Sequence, residues 1–147
     1  MAQDISAIGI KFFLKASITF PIGFEITEFP SDQDPLDASQ VAIGEYSMGV
    51  NGDMIMIRKA QGLEISFSLI PGTEADLAMQ IIANANRVAK NKQSHSDVLT
   101  LSVMYPDGTV KVLTNGILLE APFLTSVSSG GGFKMNTYRM AFEGMVI

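Results

Sequence analysis

The chain has no cysteine, no tryptophan and one histidine among its 147 residues. Without cysteine there is no disulfide and no thiolate metal centre, which suits an intracellular or reducing setting. Without tryptophan, a sugar-binding surface lacks its strongest stacking ring. The lone His95 lies beside Ser94, Ser96 and Asp97 in a polar linker. Neighbours in one loop do not converge as a Ser-His-Asp triad must, so His95 reads as a solvated linker residue. No run of about 18 apolar residues is present to span a membrane as a helix. The N-terminus, MAQDISAIGIK, has an early Asp4 and lacks the basic region of a signal peptide. There is no GxGxxG, Walker A, HExxH or GxSxG pattern. Asp32, Asp34 and Asp37 lack the glycine and terminal glutamate of a calcium loop, so no metal is expected. Nothing here supports catalysis, and no cofactor is expected.

Charge is also scarce. Charged residues make up 17% of the chain, against roughly 25% in an average domain. Hydrophobic residues reach 47%, with nine Met and nine Phe. A surface so short of charge predicts that part of it is buried against other chains. The net charge of −5 is uneven: no basic residue falls between Lys15 and Arg58, while Glu25, Glu28, Asp32, Asp34, Asp37, Glu45 and Asp53 do. Such a surface repels phosphate. Basic residues do not cluster with aromatics either, which argues against RNA or single-strand binding.

What is present is one helix and many strands. In PGTEADLAMQIIANANRVAKN, residues 71–91, Thr73 is placed as N-cap, with Asp76 three residues on to close a capping box. Ala78, Ile81, Ile82, Ala85, Val88 and Ala89 form the expected apolar stripe, with Gln80 on the other side. Arg87, Lys90 and Lys92 suit the negative end of its dipole. Residues 18–27 alternate, with Ile18, Phe20, Ile22, Phe24 and Ile26 on one face and Thr19, Glu25 and Thr27 on the other. Leu63 to Leu69 do the same against Glu64, Ser66 and Ser68. Ile8 to Leu14, Val41 to Tyr46, Met54 to Arg58, Val98 to Tyr105, Thr109 to Leu119, Phe123 to Val127 and Met135 to Ile147 complete the strands. Asn51-Gly52 and Pro106-Asp107-Gly108 mark hairpins. Phe29 to Gln40, with two prolines and three aspartates, reads as a long loop. The expected architecture is mainly β: one domain over 1–147, a β-sandwich or barrel of about eight strands with one flanking α-helix.

The order of these parts carries a resemblance. An alternating strand pair leads to an acidic loop, a G-x-x-x-x-x-x-N-G-D turn over 44–53, an alternating strand and a capped helix. A "PDGT" hairpin, a proline opening a late strand (Pro122), a Gly-rich loop and an aromatic C-terminal strand follow. Across essentially the whole chain this layout resembles the tail tube proteins of contractile-tailed bacteriophages. The resemblance implies a homo-oligomer in which six subunits close a ring, with rings stacked into a tube through which DNA passes without specific binding. It further implies sheath, baseplate and tube-terminating proteins as partners, and a place in the virion tail after assembly in the host cytoplasm. Asp32, Asp34, Pro35 and Asp37 then become candidates for an inter-ring loop. The neutral or acidic faces bearing Thr19, Glu25, Glu64, Ser66 and Ser68 become candidates to line the lumen, where lysines repeated in every ring would slow DNA. The alternatives are a tube-terminating or baseplate ring protein of the same machine, or a small β-barrel or jelly-roll ligand-binding module.

Overall fold

Period-two alternation dominates the fold. In Leu99–Met104 buried and half-buried side chains alternate without a break, as they do over most of Asn136–Phe142. The computed structural model describes residues 9–30, 35–94 and 96–146. Among these, β1 (Lys11–Ala16) and β2 (Phe20–Ile26) are followed by a short β3 (Asp37–Ala38), then β4 (Gly44–Met48), β5 (Met54–Arg58) and β6 (Leu63–Leu69). The helix α1 (Glu74–Asn86) comes next, then β7 (Leu99–Met104), β8 (Val110–Glu120) and β9 (Asn136–Val146).

Seven strands form one antiparallel sheet in the order β2-β1-β7-β8-β9-β6-β3, and β4 and β5 form a separate hairpin. The mainly-β reading with one helix holds. The sheet does not close into a barrel, because among the described residues β2 and β3 remain its two edges. The segment expected as a loop from Phe29 to Gln40 is partly structured: Pro30 is buried, and β3 pairs Asp37 with Ser66 and Ala38 with Ile65. The strand expected at Phe123–Val127 is reduced to a single bridge between Val127 and Phe133.

One face of the sheet carries the core. Phe12, Leu14, Phe67, Leu101, Tyr138, Met140 and Phe142 pack there beneath Ala75, Met79 and Ile82 of α1. Burying each large side chain contributes roughly 1.5–3 kcal/mol relative to leaving it exposed. A line of rings runs through this layer, with centroid separations of 5.0 Å for Phe29–Phe12, 5.5 Å for Phe12–Phe67 and 5.8 Å for Phe67–Tyr138. Gly116 is required where β8 passes Phe142, since a Cβ there would sit 2.3 Å from a ring carbon. The β7–β8 register shifts at this point, and Asn115 beside it is left-handed at φ 55°.

The helix is anchored by polar groups more than the sequence suggests. Thr73 caps it, its hydroxyl accepting from the Asp76 amide at 3.4 Å. Asp76 does not return the bond to Thr73 as a capping box would. Its buried carboxylate accepts from the Tyr138 hydroxyl (2.7 Å), the Asn136 amide (2.9 Å) and the Gly72 N–H (3.2 Å). Gln80 donates to the Tyr138 oxygen (2.9 Å) and the Pro122 carbonyl (2.6 Å), so it faces the sheet rather than solvent. Burial, reinforced by the Asp76 carboxylate, drives the Tyr138 phenol well above its ordinary pKa. The buried side of α1 is Ala75, Asp76, Ala78, Met79, Ile82 and Ala83, a face rotated from the expected stripe, which leaves Leu77 and Ile81 exposed.

The helix also stops early, at Asn86. The Asn86 amide donates both to its own Ile82 carbonyl and to Asp97, each at 2.8 Å. The Lys92 ammonium returns to the Arg87 carbonyl at 2.6 Å and to that of Asn84, satisfying the helix end from outside it.

Candidate assembly surface

The β4–β5 hairpin has no counterpart elsewhere in the fold. Its ladder pairs Gly44 with Arg58 through Met48 with Met54. The turn is closed by Gly49 N–H to the Asp53 carbonyl (2.7 Å) and Gly52 N–H to the Gly49 carbonyl (3.0 Å). Every residue of both strands is exposed. Cross-strand pairing and alternation put Tyr46, Met48, Met54, Met56 and Arg58 on one side, and Glu45, Ser47, Ile55 and Ile57 on the other. Lys59 pairs with Glu45 at 2.7 Å, an exposed contact of little energetic consequence. An isolated two-stranded hairpin is marginal in water, and apolar side chains on both its faces call for a covering surface.

A second apolar projection is the β8–β9 connection. Phe123, Leu124, Val127 and Phe133 are all exposed on it. Its Ser128–Gly132 tip is closed by the Ser128 N–H on the Gly132 carbonyl at 2.8 Å. The Arg87 guanidinium lies 5.4 Å from the centre of the Phe123 ring. Register places the two projections at opposite ends of the sheet. β6 begins at Leu63 beside Phe142 and ends at Leu69 beside Asn136. The hairpin enters at the Leu63 end, and the β8–β9 connection delivers the chain to Asn136 at the other.

The residues singled out in the sequence are scattered across this frame. Asp32, Asp34 and His95 lie outside the described residues. Pro35 is half-buried and Asp37 is exposed in β3. Glu25, opposite Phe13, and Glu64 and Ser66, opposite Ala141 and Arg139, share the sheet face turned away from α1. Lys11, Lys15 and Arg139 occupy the same face, with Lys11 3.7 Å from Glu25 and Arg139 bridging Glu64 (3.2 Å) and Glu120 (2.8 Å). That face is therefore mixed in charge, although β2 and β6 contribute no basic residue to it. Ser68 is buried, its hydroxyl 2.9 Å from that of Thr137. Thr19 sits in the β1–β2 turn, its N–H 3.0 Å from Asp97.

Asp97 is a joint between three segments. It accepts from the N–H groups of Ile18 and Thr19, the Thr19 hydroxyl and the Asn86 amide. Burial alone would raise its carboxyl, but these hydrogen bonds more than offset it and hold the group below the usual carboxylate range. Its role is to tie the β1–β2 turn to the helix end. Among the described residues no group of three or more His, Asp or Glu is placed to hold a metal ion, and no helix is long and apolar enough to cross a membrane.

The described residues thus form an open antiparallel sheet with one helix on its inner face and two exposed apolar projections. Solved structures share the fold. A chain of the anti-feeding prophage baseplate, solved with 6-fold symmetry, aligns over 99% of this chain and 96% of its own at a TM-score of 0.56 and 11% identity. A chain of an extracellular contractile injection system's sheath–tube complex in its extended state aligns over 97% and 91% at 0.57 and 12%. A chain of the sheath/tube terminator of such a system aligns over 99% and 97% at 0.55 and 13%. The profile of the family described as tail fiber protein gp32 matches residues 3–146, and the chain belongs to that family. A search of curated protein sequences gives no significant match. The resemblance thus holds in fold to chains of contractile injection systems, and the family it falls in is one of tail proteins.

Proposed function

We propose that this chain is a structural, non-catalytic subunit of a contractile tail, closing six-membered rings that stack head-to-tail into the tail tube. The observation that carries the reading is the pair of apolar projections at opposite ends of the sheet. An apolar projection that seats on a different surface of an identical copy makes a heterologous contact, and repeated heterologous contacts build rings and filaments. Six-fold closure follows the tail-tube resemblance and the symmetry of the anti-feeding prophage baseplate. In this reading residues 1–147 fold as one unit, located in the virion tail and assembled in the host cytoplasm, with sheath, baseplate and tube-terminating proteins as neighbours. In the same reading the 30–40 segment, including Asp32, Asp34, Pro35 and Asp37, contributes to the ring-to-ring contact.

The sheet face bearing Glu25, Glu64 and Ser66 is assigned to the lumen. Of its three basic groups, Lys11 is paired with Glu25 and Arg139 with Glu64 and Glu120, and Lys15 lies over the Phe13 ring, which leaves DNA little to grip. The likeness to baseplate and terminator chains favours one second reading, a ring that caps or founds the tube without extending it. Negative-stain microscopy of the purified protein separates these outcomes. Long tubes support the tube subunit, and isolated rings support the capping or founding role. A monodisperse monomer at high concentration, across salt conditions, contradicts both.

A further inference from the structure

A cleft of about 520 Å³ opens between β2 and the first half of α1, on the outer side of the helix. Its apolar walls include Phe20 and Phe24, a T-shaped pair 5.1 Å apart, together with the exposed Leu77 and Ile81 of the helix. Its rim is acidic, with Glu28 and Glu74, and no Lys or Arg is among the residues that line it; Glu25 lies at its margin with its carboxylate toward Lys11. Glu28 accepts weakly from the Ala75 N–H at 3.4 Å, while Glu74 projects from the first turn of the helix. Among the described residues, no side chain covers Leu77 or Ile81.

We infer that this cleft receives the β4–β5 hairpin of the adjacent copy in the same ring, an inference that deepens the ring-forming reading and rests on it. Three observations choose this occupant. The first is position. β2 is one edge of the sheet, and the hairpin springs from the opposite edge, between β3 and β6. A ring that sets the β2 edge of one copy against the β3–β6 edge of the next brings each hairpin beside its neighbour's cleft. The second is charge. The Tyr46, Met48, Met54 and Met56 face carries one charged residue, Arg58, and no carboxylate, which complements an apolar cleft with an acidic rim. The third is shape. Unbranched, flexible methionines fit an irregular slot lined by aromatic rings. The docked hairpin also gains the covering surface that it lacks in a single copy.

The absence of cysteine from the chain makes the test clean. Met56→Cys and Leu77→Cys are introduced singly and together; both positions are exposed, so the fold is unaffected. The assembled protein is treated with a short bis-maleimide, which tolerates modest misalignment, run on a denaturing gel and imaged by negative stain. The expected result is a ladder of dimers, trimers and higher species from the double variant, and none from either single variant. Rings or tubes that form without the ladder would overturn the docking while leaving the ring-forming reading intact. In that case a thiol at position 77 that labels in particles as fast as in free subunits would leave the cleft open to a different protein, such as a sheath. Absence of particles, in wild type and variants alike, would overturn both.

Discussion

The inner face of the sheet and the β4–β5 hairpin are built from the same kinds of side chain and meet opposite fates. Met140 and Ile65 are buried by their own chain, while Met56 and Ile57 stand in solvent. Hydrophobicity alone does not separate them. The difference is in pattern: on β9 apolar side chains alternate with Thr137, Arg139 and Glu143, so one face can be buried and one wetted. On β5 the run Met54-Ile55-Met56-Ile57 is apolar on both faces, and among the described residues no layer lies over either. A core is apolar because its own chain covers it. The hairpin is apolar with no such cover among the described residues, and in the proposed assembly a neighbouring subunit supplies it.

Matched substitutions sharpen that contrast. Met140→Ala should cost about 2–5 kcal/mol by removing a fully buried side chain, visible as a large drop in the denaturation midpoint. Met56→Ala, the same change on the hairpin, should leave the isolated subunit within about 0.5 kcal/mol of wild type. Equal losses at the two sites would mean that the hairpin is packed within the free subunit. Gly116→Ala comes next, at about 1–3 kcal/mol by overpacking, because the new methyl group meets the Phe142 ring. Tyr138→Phe removes one donor from the buried Asp76 carboxylate, and about 1–3 kcal/mol is expected from chemical denaturation.

A pH series isolates Asp97. Its folded-state pKa lies below the unfolded value of about 3.9, so its contribution to stability is present above that pH and is lost as pH falls toward the folded value. Asp97→Asn should therefore flatten part of the stability loss below about pH 4. An unchanged acid limb of the melting profile would remove Asp97 from that role. The smallest effect is expected at Ile81. Ile81→Asp places its charge in solvent on the helix's outer side, so folding should shift by no more than about 0.5 kcal/mol.

The sheet was largely legible in the sequence because burial on one face imposes alternation. The strands expected near 98–105, 109–119 and 135–147 appear as β7, β8 and β9 with ends shifted by a residue or two, and the Asn51-Gly52 turn closes its hairpin. The buried helix face departs from the expected stripe because Asp76 and Gln80, polar by type, turn inward to Tyr138 and Asn136, which lie some 60 residues away. Periodicity assigns polar residues to solvent and cannot anticipate such distant partners. β3 was hidden by a composition typical of loops, since its two residues are held by the edge of β6 rather than by propensity. The same limit applies to the assembly surface. Low charge predicts a covered surface, but the unbroken apolar run on β5 reads as an ordinary strand until the sheet is seen to leave it outside.

The claim that the hairpin is an assembly element is tested most directly by replacing residues 45–57 with a short glycine-containing turn and comparing the variant with wild type by thermal melting and negative-stain microscopy. The expected result is a folded subunit with an essentially unchanged melting temperature that forms neither rings nor tubes under conditions where wild type does. Normal rings and long tubes from the shortened chain would contradict it.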